Sequence, residues 1–251
     1  MTAAEPALIE RFRRARRAPE HVVLEGFHAL KHALRFGAAV EVACAPAAAP
    51  LAALARRLAP DLAGWLAQHL ELVPDDLFRR LSPSPPATAV VAIARRPAAD
   101  PQALLAAPGA APLVLLEQPS HHGNLGAVVR VAAAAGAAAV LTTGRLEPWH
   151  PHALRGSAGL HYALPVVRLE RLPESPRPLL ALDPAGARLR PGDLPDDAVL
   201  AFGAERRGLS PALRARALRT VALPMRAGVS SLNLATAVAS VLYAWRLARP
   251  D

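Results

Sequence analysis

Hydrophobic and polar positions follow two different rhythms along this chain. In the first part, apolar Phe27, Leu30 and Leu34 recur near helical spacing, directly after a short apolar run that is typical of a strand. Further apolar runs of both kinds follow before residue 95. The predicted elements are a strand and a helix within His21–Ala39, a strand over Val40–Cys44, a helix over Leu51–Leu70 and a strand over Ala89–Ala94.

The second part alternates short, fully apolar runs with helical stretches. Asn124 can cap a helix over Leu125–Ala135, and Gly136 can end it. The predicted strands are Leu113–Leu116, Ala138–Leu141, Leu179–Leu182, Val199–Phe202 and Val221–Leu223. The last helix has one apolar stripe, formed by Leu234, Ala237, Val238, Val241, Leu242 and Trp245. Buried strands that alternate with helices indicate an α/β fold with a parallel sheet covered on both faces.

Proline punctuates the region between these two parts. Pro97, Pro101, Pro108 and Pro112 interrupt an alanine-rich stretch, and proline disfavours helix in the residue before it. An earlier break, Ser82–Pro86, is followed by another strand and therefore reads as a loop. The sequence predicts a first domain over residues 1–98, a linker over 99–112 and a second domain over 113–251.

Composition limits the class of protein. Of the 251 residues, 53% are hydrophobic, a fraction that alanine inflates. The longest apolar run, Val131–Leu141, is far shorter than the roughly 20 residues that span a bilayer. The first residues lack the apolar segment of a signal peptide. Cys44 is the only cysteine, which excludes an internal disulfide and a cysteine-built zinc site. We expect a soluble cytoplasmic protein.

Positive charge dominates the chain, with a formal net charge of +9. Lys31 is the only lysine, so almost all the cations are arginines. A GC-rich genome can explain the choice of arginine over lysine, but it does not explain the excess of cations over anions. Arginine grips phosphate through a bidentate fork, so the surplus favours a nucleic-acid partner.

Three polar segments follow predicted strands in the second part, where open parallel sheets bind their ligands. They are Ser120–Arg130, Phe202–Pro211 and Leu223–Ala237. Each segment also has a plain structural interpretation. Asn124 and Asn233 can be helix caps, Arg130 can be a solvated helix residue, and Glu205 can form an ion pair within a glycine turn. Taken singly, the segments leave both interpretations open.

Taken together and in this order, the segments resemble the signature motifs of the SpoU/TrmH family of RNA ribose methyltransferases. The residues that match the family pattern are Asn124, Gly126, Arg130 and Ala132, then Gly203, Glu205 and Gly208, then Ser231, Leu232 and Asn233. The resemblance covers Leu113–Leu247 and is weaker over Arg11–Ala94. Two places depart from it: His121-His122 stand where the family has Asp-Pro, and Arg206 stands where it has a second glycine.

The resemblance implies a fold, a reaction and partners. The second domain would be a parallel sheet knotted as a deep trefoil, preceded by a small α/β, ribosomal-protein-like domain that binds RNA. The cofactor would be S-adenosylmethionine, and the reaction 2′-O-methylation of a ribose, with ribosomal RNA favoured over transfer RNA as the substrate. No metal is required, and a homodimer would form through the second domain.

The resemblance also assigns roles to residues. The implied catalytic residues are Arg130, Asn124, Glu205, Ser231 and Asn233. The implied cofactor-binding residues are Thr142, Gly144, Gly203, Leu223, Met225, Ser231 and Leu232. The predicted RNA-binding residues are Arg11, Arg13, Arg14, Arg16, Arg17 and Arg155. Arg130 would act on the 2′-hydroxyl, either as a base or by orienting it.

Other classes are excluded or stay open. No Gly-x-Gly loop follows Leu113–Leu116, so a Rossmann-type methyltransferase is excluded, and a P-loop lysine is absent. The nine histidines show no spacing typical of a metal site, and His150 and His152 are expected at the surface. A non-catalytic RNA-binding or ribosome-assembly protein, and an antibiotic-resistance rRNA methylase, share these motifs and remain alternatives.

Overall fold

The computed structural model describes residues 4–106, 109–190 and 192–249. The chain divides into two compact units. The first comprises the residues up to Ala98 together with Ala158–Ala163, and the second comprises Ala99–Ser157 and the chain from Leu164 onwards. Within the described ranges, no helix is both long enough and apolar enough to cross a membrane.

The first unit is a mixed sheet packed with helices. Its elements are α1 Ala4–Ala15, β1 His21–Glu25, α2 Phe27–Arg35, β2 Val40–Ala45, α3 Ala48–Leu58, α4 Ala63–His69, β3 Leu70–Leu72, α5 Asp75–Leu81 and β4 Val91–Arg95. The strand order is β1-β4-β2-β3, with β4 antiparallel to both neighbours and β3 parallel to β2. The predicted helix over Leu51–Leu70 is wrong in one respect. It breaks into α3 and α4 at Pro60, where Ala59 leaves the helical conformation.

The second unit is a six-stranded, wholly parallel sheet with helices, as the alternating pattern predicts. Its elements are α6 Pro101–Ala106, β5 Leu113–Leu116, α7 His122–Ala135, β6 Ala139–Thr142, α8 Pro151–Ser157, β7 Val166–Arg168, β8 Leu179–Arg188, β9 Val199–Phe202, α9 Pro211–Arg216, β10 Arg219–Ala222 and α10 Leu234–Leu247. The strand order is β10-β8-β9-β5-β6-β7. The parallel α/β fold is therefore confirmed, whereas the trefoil knot stays a prediction.

The segment over 99–112 is not the plain linker that its prolines predict. It contains helix α6, which begins at Pro101, the position where a missing N–H costs a helix least. The carboxylate of Asp100 accepts a hydrogen bond from the amide of Gln102 at 2.9 Å and so caps the first turn. Leu105 is buried in the same core cluster as Leu113 of β5. The helix therefore belongs to the second unit.

Helix α7 starts earlier than the sequence predicts. His121 occupies the N-cap position, and Asn124 lies within the first turn instead of capping it. The side chain of Asn124 is thereby free to bond outside its own helix. The end of α7 is as predicted, because Gly136 adopts the left-handed conformation with φ 77°.

Gly126 lets α7 approach α8 backbone to backbone. A Cβ atom at Gly126 would lie 2.2 Å from the carbonyl oxygen of Ala153 in α8. That oxygen belongs to the backbone, so it cannot move aside as the end of a flexible side chain could. Three residues earlier, a Cβ atom at Gly123 would meet nothing within 4 Å. Close helix packing therefore requires glycine at position 126, whereas no such contact requires it at position 123.

We expect Gly126→Ala to lower the free energy of unfolding by about 1–3 kcal/mol, because the helices must separate to admit the methyl group. Gly123→Ala is the matched control, and it should raise that free energy by up to about 1 kcal/mol, since alanine favours a helix over glycine. Urea denaturation of both variants measures the difference. Equal midpoints for the two variants would contradict the close packing of α7 on α8.

Candidate active site

The strand order brings two of the three motif segments together. Strands β5 and β9 are parallel neighbours in the middle of the sheet, and Leu116 at the end of β5 lies opposite Phe202 at the end of β9. The first segment leaves β5 and the second leaves β9, so both begin at the same edge. This is the edge at which open parallel sheets bind ligands, beyond the carboxyl ends of their strands.

Glu205 links the second segment to the first. One carboxylate oxygen accepts hydrogen bonds from the amide of Ser120 at 3.0 Å and from its hydroxyl at 2.7 Å. The other accepts the side-chain amide of Asn124 at 2.8 Å. Burial on its own would favour the neutral acid, but the hydrogen bonds from Asn124 and Ser120 outweigh it and hold the pKa of Glu205 below its usual value. Glu205 is therefore an ionised acceptor that orders the first segment.

Asn124 also bonds to the third segment. Its side-chain oxygen accepts the Nδ2 amide of Asn233 at 3.1 Å. The Oδ1 atom of Asn233 accepts the backbone amides of Ala235 at 2.9 Å and Thr236 at 3.4 Å, and so caps helix α10. Asn233 is thus both the helix cap of the plain interpretation and a member of the site. The three segments form one hydrogen-bonded chain, Glu205–Asn124–Asn233.

The turn that carries Glu205 is closed tightly by two glycines. Ala204 and Gly208 form an isolated antiparallel bridge, and Gly208 has φ 65°, a conformation that favours glycine. A Cβ atom at Gly203 would lie 2.0 Å from the carbonyl carbon of Gly208. No side chain fits there, so Gly203 is required by close backbone approach.

A cavity of about 420 Å³ opens beside this turn, within the range typical of small-molecule sites. Predicted cofactor residues that line it are Gly203, Leu223, Met225, Ser231 and Leu232. Lining residues that the sequence did not predict include Leu182, Pro184, Phe202, Leu234 and Ala237. Leu182 and Pro184 lie where β8 bulges away from β10, because the register passes from Ala181 directly to Ala187. The sequence predicted this strand only over Leu179–Leu182, and Pro184, two residues beyond that range, is a local signal of an interruption.

The other two predicted cofactor residues lie elsewhere. Thr142 is fully buried in β6, and its hydroxyl has no hydrogen-bond partner among the described residues. Gly144 lies against Gln118 and lines a different cavity. The physical reason is the strand order: β5 separates β6 from β9, so the end of β6 lies two strands away from the end of β9, where the Glu205 turn begins. We therefore remove Thr142 and Gly144 from the cofactor site.

Arg130 lies outside the hydrogen-bonded chain. It is exposed on α7. Because it follows Asn124 by six residues in a helix with 3.6 residues per turn, the two side chains project from different faces of α7. Among the described residues, no hydrogen bond or ion pair holds its guanidinium. Arg155, the predicted RNA-binding residue of the same unit, is also exposed, on α8.

The predicted RNA-binding arginines of α1 and its C-terminal end differ in their surroundings. Arg16 donates hydrogen bonds to Glu25 at 3.1 Å and to the carbonyl of Leu81 at 2.8 Å, so it ties α1 to β1 and α5. Arg11 pairs with Glu41 at 3.3 Å, and Arg13 pairs loosely with Glu10 at 3.8 Å. Arg14 and Arg17 are exposed and hold no ion pair among the described residues. The role of Arg16 is therefore structural, and Arg14 and Arg17 are the best candidates for RNA contacts.

Three histidine rings cluster beside the start of α7. The ring of His122 lies 3.9 Å from that of His150, and the ring of His152 stands edge-on to both. Burial, and then the charge of the neighbouring imidazoles, lowers the pKa of His122 and of His150, although Glu147 opposes this effect. His150 is thus partly buried, unlike the surface residue expected from sequence. The described part of the chain contains no group of three or more candidate ligands placed to hold a metal ion.

An open parallel sheet, a cavity beyond its strand ends and a glycine turn closed against a helix N-terminus define a ligand-binding α/β protein. Its family follows from comparison. The chain belongs to the SpoU rRNA Methylase family, whose model matches residues 111–243.

Named relatives match somewhat more than half of the chain. The 23S rRNA (uridine(2479)-2'-O)-methyltransferase of Streptomyces viridochromogenes is 32% identical over 144 residues, which are 52% of this chain and 50% of that protein. An uncharacterized tRNA/rRNA methyltransferase of Mycobacterium bovis is 36% identical over 171 residues, 61% of this chain and 58% of that protein. The chain thus matches about half the length of these curated relatives.

Solved structures share the whole fold. The SpoU methyltransferase AviRb from Streptomyces viridochromogenes, in complex with AdoMet, superposes with a TM-score of 0.75 at 24% identity and covers 98% of both chains. A crystal structure of an RNA 2'-O ribose methyltransferase has a TM-score of 0.72 at 25% identity, over 98% of this chain and 95% of that one. These likenesses confirm the fold class predicted from the motifs.

Proposed function

We propose that this protein is an S-adenosylmethionine-dependent methyltransferase that modifies a ribose 2′-oxygen in ribosomal RNA. The observation that carries the proposal is the hydrogen-bonded chain Glu205–Asn124–Asn233, which joins all three motif segments beside the cavity. Relatives from Streptomyces viridochromogenes and Acinetobacter baylyi that are named 23S rRNA 2′-O-methyltransferases support the reaction and the kind of RNA.

The cavity suits S-adenosylmethionine in size and chemistry. Leu223, Leu232 and Met225 give it an apolar wall for the adenosyl group, and Ser231 adds a polar side chain at the start of the α10 region. The narrow turn at Gly203 brings backbone amides and carbonyls within reach of a ligand. We assign cofactor binding to these five residues.

The residues of the hydrogen-bonded chain orient the reacting groups. When bound, S-adenosylmethionine would supply a sulfonium methyl group for attack by a nucleophilic oxygen, with S-adenosylhomocysteine as the leaving thioether. The amide of Asn124 is fixed on both sides, by the ionised Glu205 and by Asn233. Such fixed groups contribute orientation, because the reactants lose less freedom at the moment of reaction.

Arg130 is the residue that we assign to the 2′-hydroxyl. A hydroxyl is a weak nucleophile until its proton is polarised or removed. An arginine guanidinium stays protonated in proteins, so Arg130 acts by orienting the hydroxyl and the adjacent phosphate. Arg130 is exposed on α7 and has no ion-pair partner within the described ranges, which leaves it available to RNA.

We assign RNA binding to the first unit, residues 1–98, and catalysis to the second, with the α6 segment counted in the second. We also propose that the protein is cytoplasmic and pairs as a homodimer through the second unit. Tyr243 and Leu247 of α10 support the dimer, because both are large apolar residues that are exposed. Light scattering of the purified protein measures its oligomeric state.

We expect the double variant Arg14→Gln/Arg17→Gln to weaken RNA binding and to flatten its salt dependence. Each lost phosphate contact should lower the slope of log K against log salt by about 0.7–0.9. Filter binding of ribosomal RNA at several salt concentrations measures the slope. An unchanged slope would show that these arginines are only a solvated helix end.

Arg16→Gln is the matched control within the same helical region. Arg16 holds Glu25 and the carbonyl of Leu81, so its loss should lower the midpoint of thermal unfolding, with little change in the salt slope. If Arg16→Gln instead lowered the salt slope and left the unfolding midpoint unchanged, Arg16 would be an RNA contact and not a structural residue.

Calorimetry with S-adenosylmethionine tests the proposed cofactor. An enzyme should bind it in the micromolar range, whereas an RNA-binding or ribosome-assembly protein that merely shares the fold has no reason to do so. Absence of heat across that range would favour the non-catalytic alternative.

A further inference from the structure

A second cavity adjoins the cofactor cavity on the other side of the Glu205 turn. It has a volume of about 390 Å³ and is lined by Gln118, Ser120, His121, Ala204, Arg206 and Arg207. Ala204, Arg206 and Arg207 line the first cavity as well. The turn is therefore a shared wall, and a group in the second cavity lies next to a ligand in the first.

The two arginines of this wall carry charge that the protein does not neutralise. Glu205 is the acid beside them in sequence, but its carboxylate bonds to Ser120 and Asn124 instead. In the described part of the chain, neither Arg206 nor Arg207 holds an ion pair. The local ion pair of the plain interpretation is therefore absent, and two like charges face a concave site, which attracts an anion.

His121 also lines the second cavity. It is exposed at the N-cap of α7, next to Ser120, whose amide and hydroxyl fix Glu205. Its ring can donate a hydrogen bond from one nitrogen. The positive end of the 14-residue helix α7 begins at the same place, which adds to the attraction for an anion.

The second cavity is also where this chain departs from its family pattern. His121 replaces the first residue of the usual Asp-Pro, and Arg206 replaces a glycine. These two positions lie in different segments of the sequence, and yet both line one cavity. Each change removes an acid or adds a cation, so both act in the same electrostatic direction.

We propose that the second cavity binds a phosphodiester of the RNA next to the target ribose. Arg206 and Arg207 hold the phosphate oxygens, and His121 donates a hydrogen bond to the same group. Guanidinium pairs suit this ligand, because their fork matches two phosphate oxygens. The assignment rests on the proposed function, since it places the RNA backbone beside the cofactor.

The test compares His121→Ala and Arg207→Gln with the unaltered full chain. Each variant should raise the Kd for purified bacterial 23S rRNA about tenfold, and Arg207→Gln should lower the salt slope by about 0.7–0.9. The affinity for S-adenosylmethionine, measured by calorimetry, should change less than about twofold. Arg145→Gln, an exposed arginine of the same unit that lines neither cavity, should change neither affinity.

Three outcomes would overturn the proposal. The first is unchanged RNA affinity in both variants, and the second is an equal loss of RNA affinity in the Arg145→Gln control. The third is a loss of S-adenosylmethionine binding in Arg207→Gln that is as strong as its loss of RNA binding. The last result would assign the arginine to the cofactor's own carboxylate. Methyl transfer by the unaltered protein is measured separately, so a failure of the proposed function is distinguished from a failure of this site.

Discussion

Arg130→Ala should abolish methyl transfer to RNA and leave S-adenosylmethionine binding intact. Arg130 is exposed, lies outside the cofactor cavity and holds no partner among the described residues, so its removal should not disturb the fold. A group that polarises or orients a reacting hydroxyl typically contributes about 100-fold or more to the rate. Single-turnover methylation of ribosomal RNA, with calorimetry of the cofactor on the same preparation, measures both effects.

The Arg130→Lys variant separates shape from charge. Lysine keeps the positive charge but loses the planar fork, so we expect it to recover only a minor part of the activity. Arg145→Gln, an exposed arginine elsewhere in the unit, should retain full activity. Full activity of Arg130→Ala would remove Arg130 from the reaction.

Gly203→Ala should abolish cofactor binding. The new Cβ atom would lie 2.0 Å from the carbonyl carbon of Gly208 and 2.2 Å from the amide nitrogen of Leu209, and these backbone atoms are held by the bridge between Ala204 and Gly208. The turn must open, which displaces the wall of the cavity. Because this wall is proposed to hold the cofactor, we expect calorimetry to show a loss of affinity of about 100-fold or more, on the order of 3 kcal/mol.

Gly208→Ala is the control at the other side of the same bridge. A Cβ atom there meets nothing within 4 Å, so the cost is only the left-handed backbone, roughly 1–2 kcal/mol. Cofactor affinity should therefore fall much less than in Gly203→Ala. Equal losses in the two variants would mean that the turn tolerates no change at all, and wild-type binding by Gly203→Ala would refute the close approach.

The fold was predictable where the signal is local. Runs such as Leu113–Leu116 and Val199–Phe202 are fully buried strands, as four apolar residues in succession indicate, and the stripe of α10 buries Val238 and Trp245. Helix α6 was not predicted, because the prolines around it were interpreted as signs of a linker. Asp100 directly before Pro101 is nevertheless a helix-start signal. The order of the strands depends on long-range pairing, which no local pattern records.

The site was predictable in its members and not in its connections. Order and spacing of the motifs found Asn124, Glu205 and Asn233, but nothing in the sequence shows that Glu205 would bond to Asn124 and leave its arginine neighbours unpaired. The same limit explains Thr142. A polar residue at a strand end is a fair candidate until the strand order places that end on the far side of β5.

The central claim is tested most directly by the position of the transferred methyl group. Purified protein is incubated with bacterial 23S rRNA and methyl-labelled S-adenosylmethionine, and the RNA is then hydrolysed in alkali. A 2′-O-methyl group blocks cleavage of the neighbouring phosphodiester, because the 2′-oxygen can no longer attack the phosphorus. We predict that the label is recovered in alkali-stable dinucleotides. Label in ordinary mononucleotides, which marks methylation of a base, or no label in the RNA, would contradict the account.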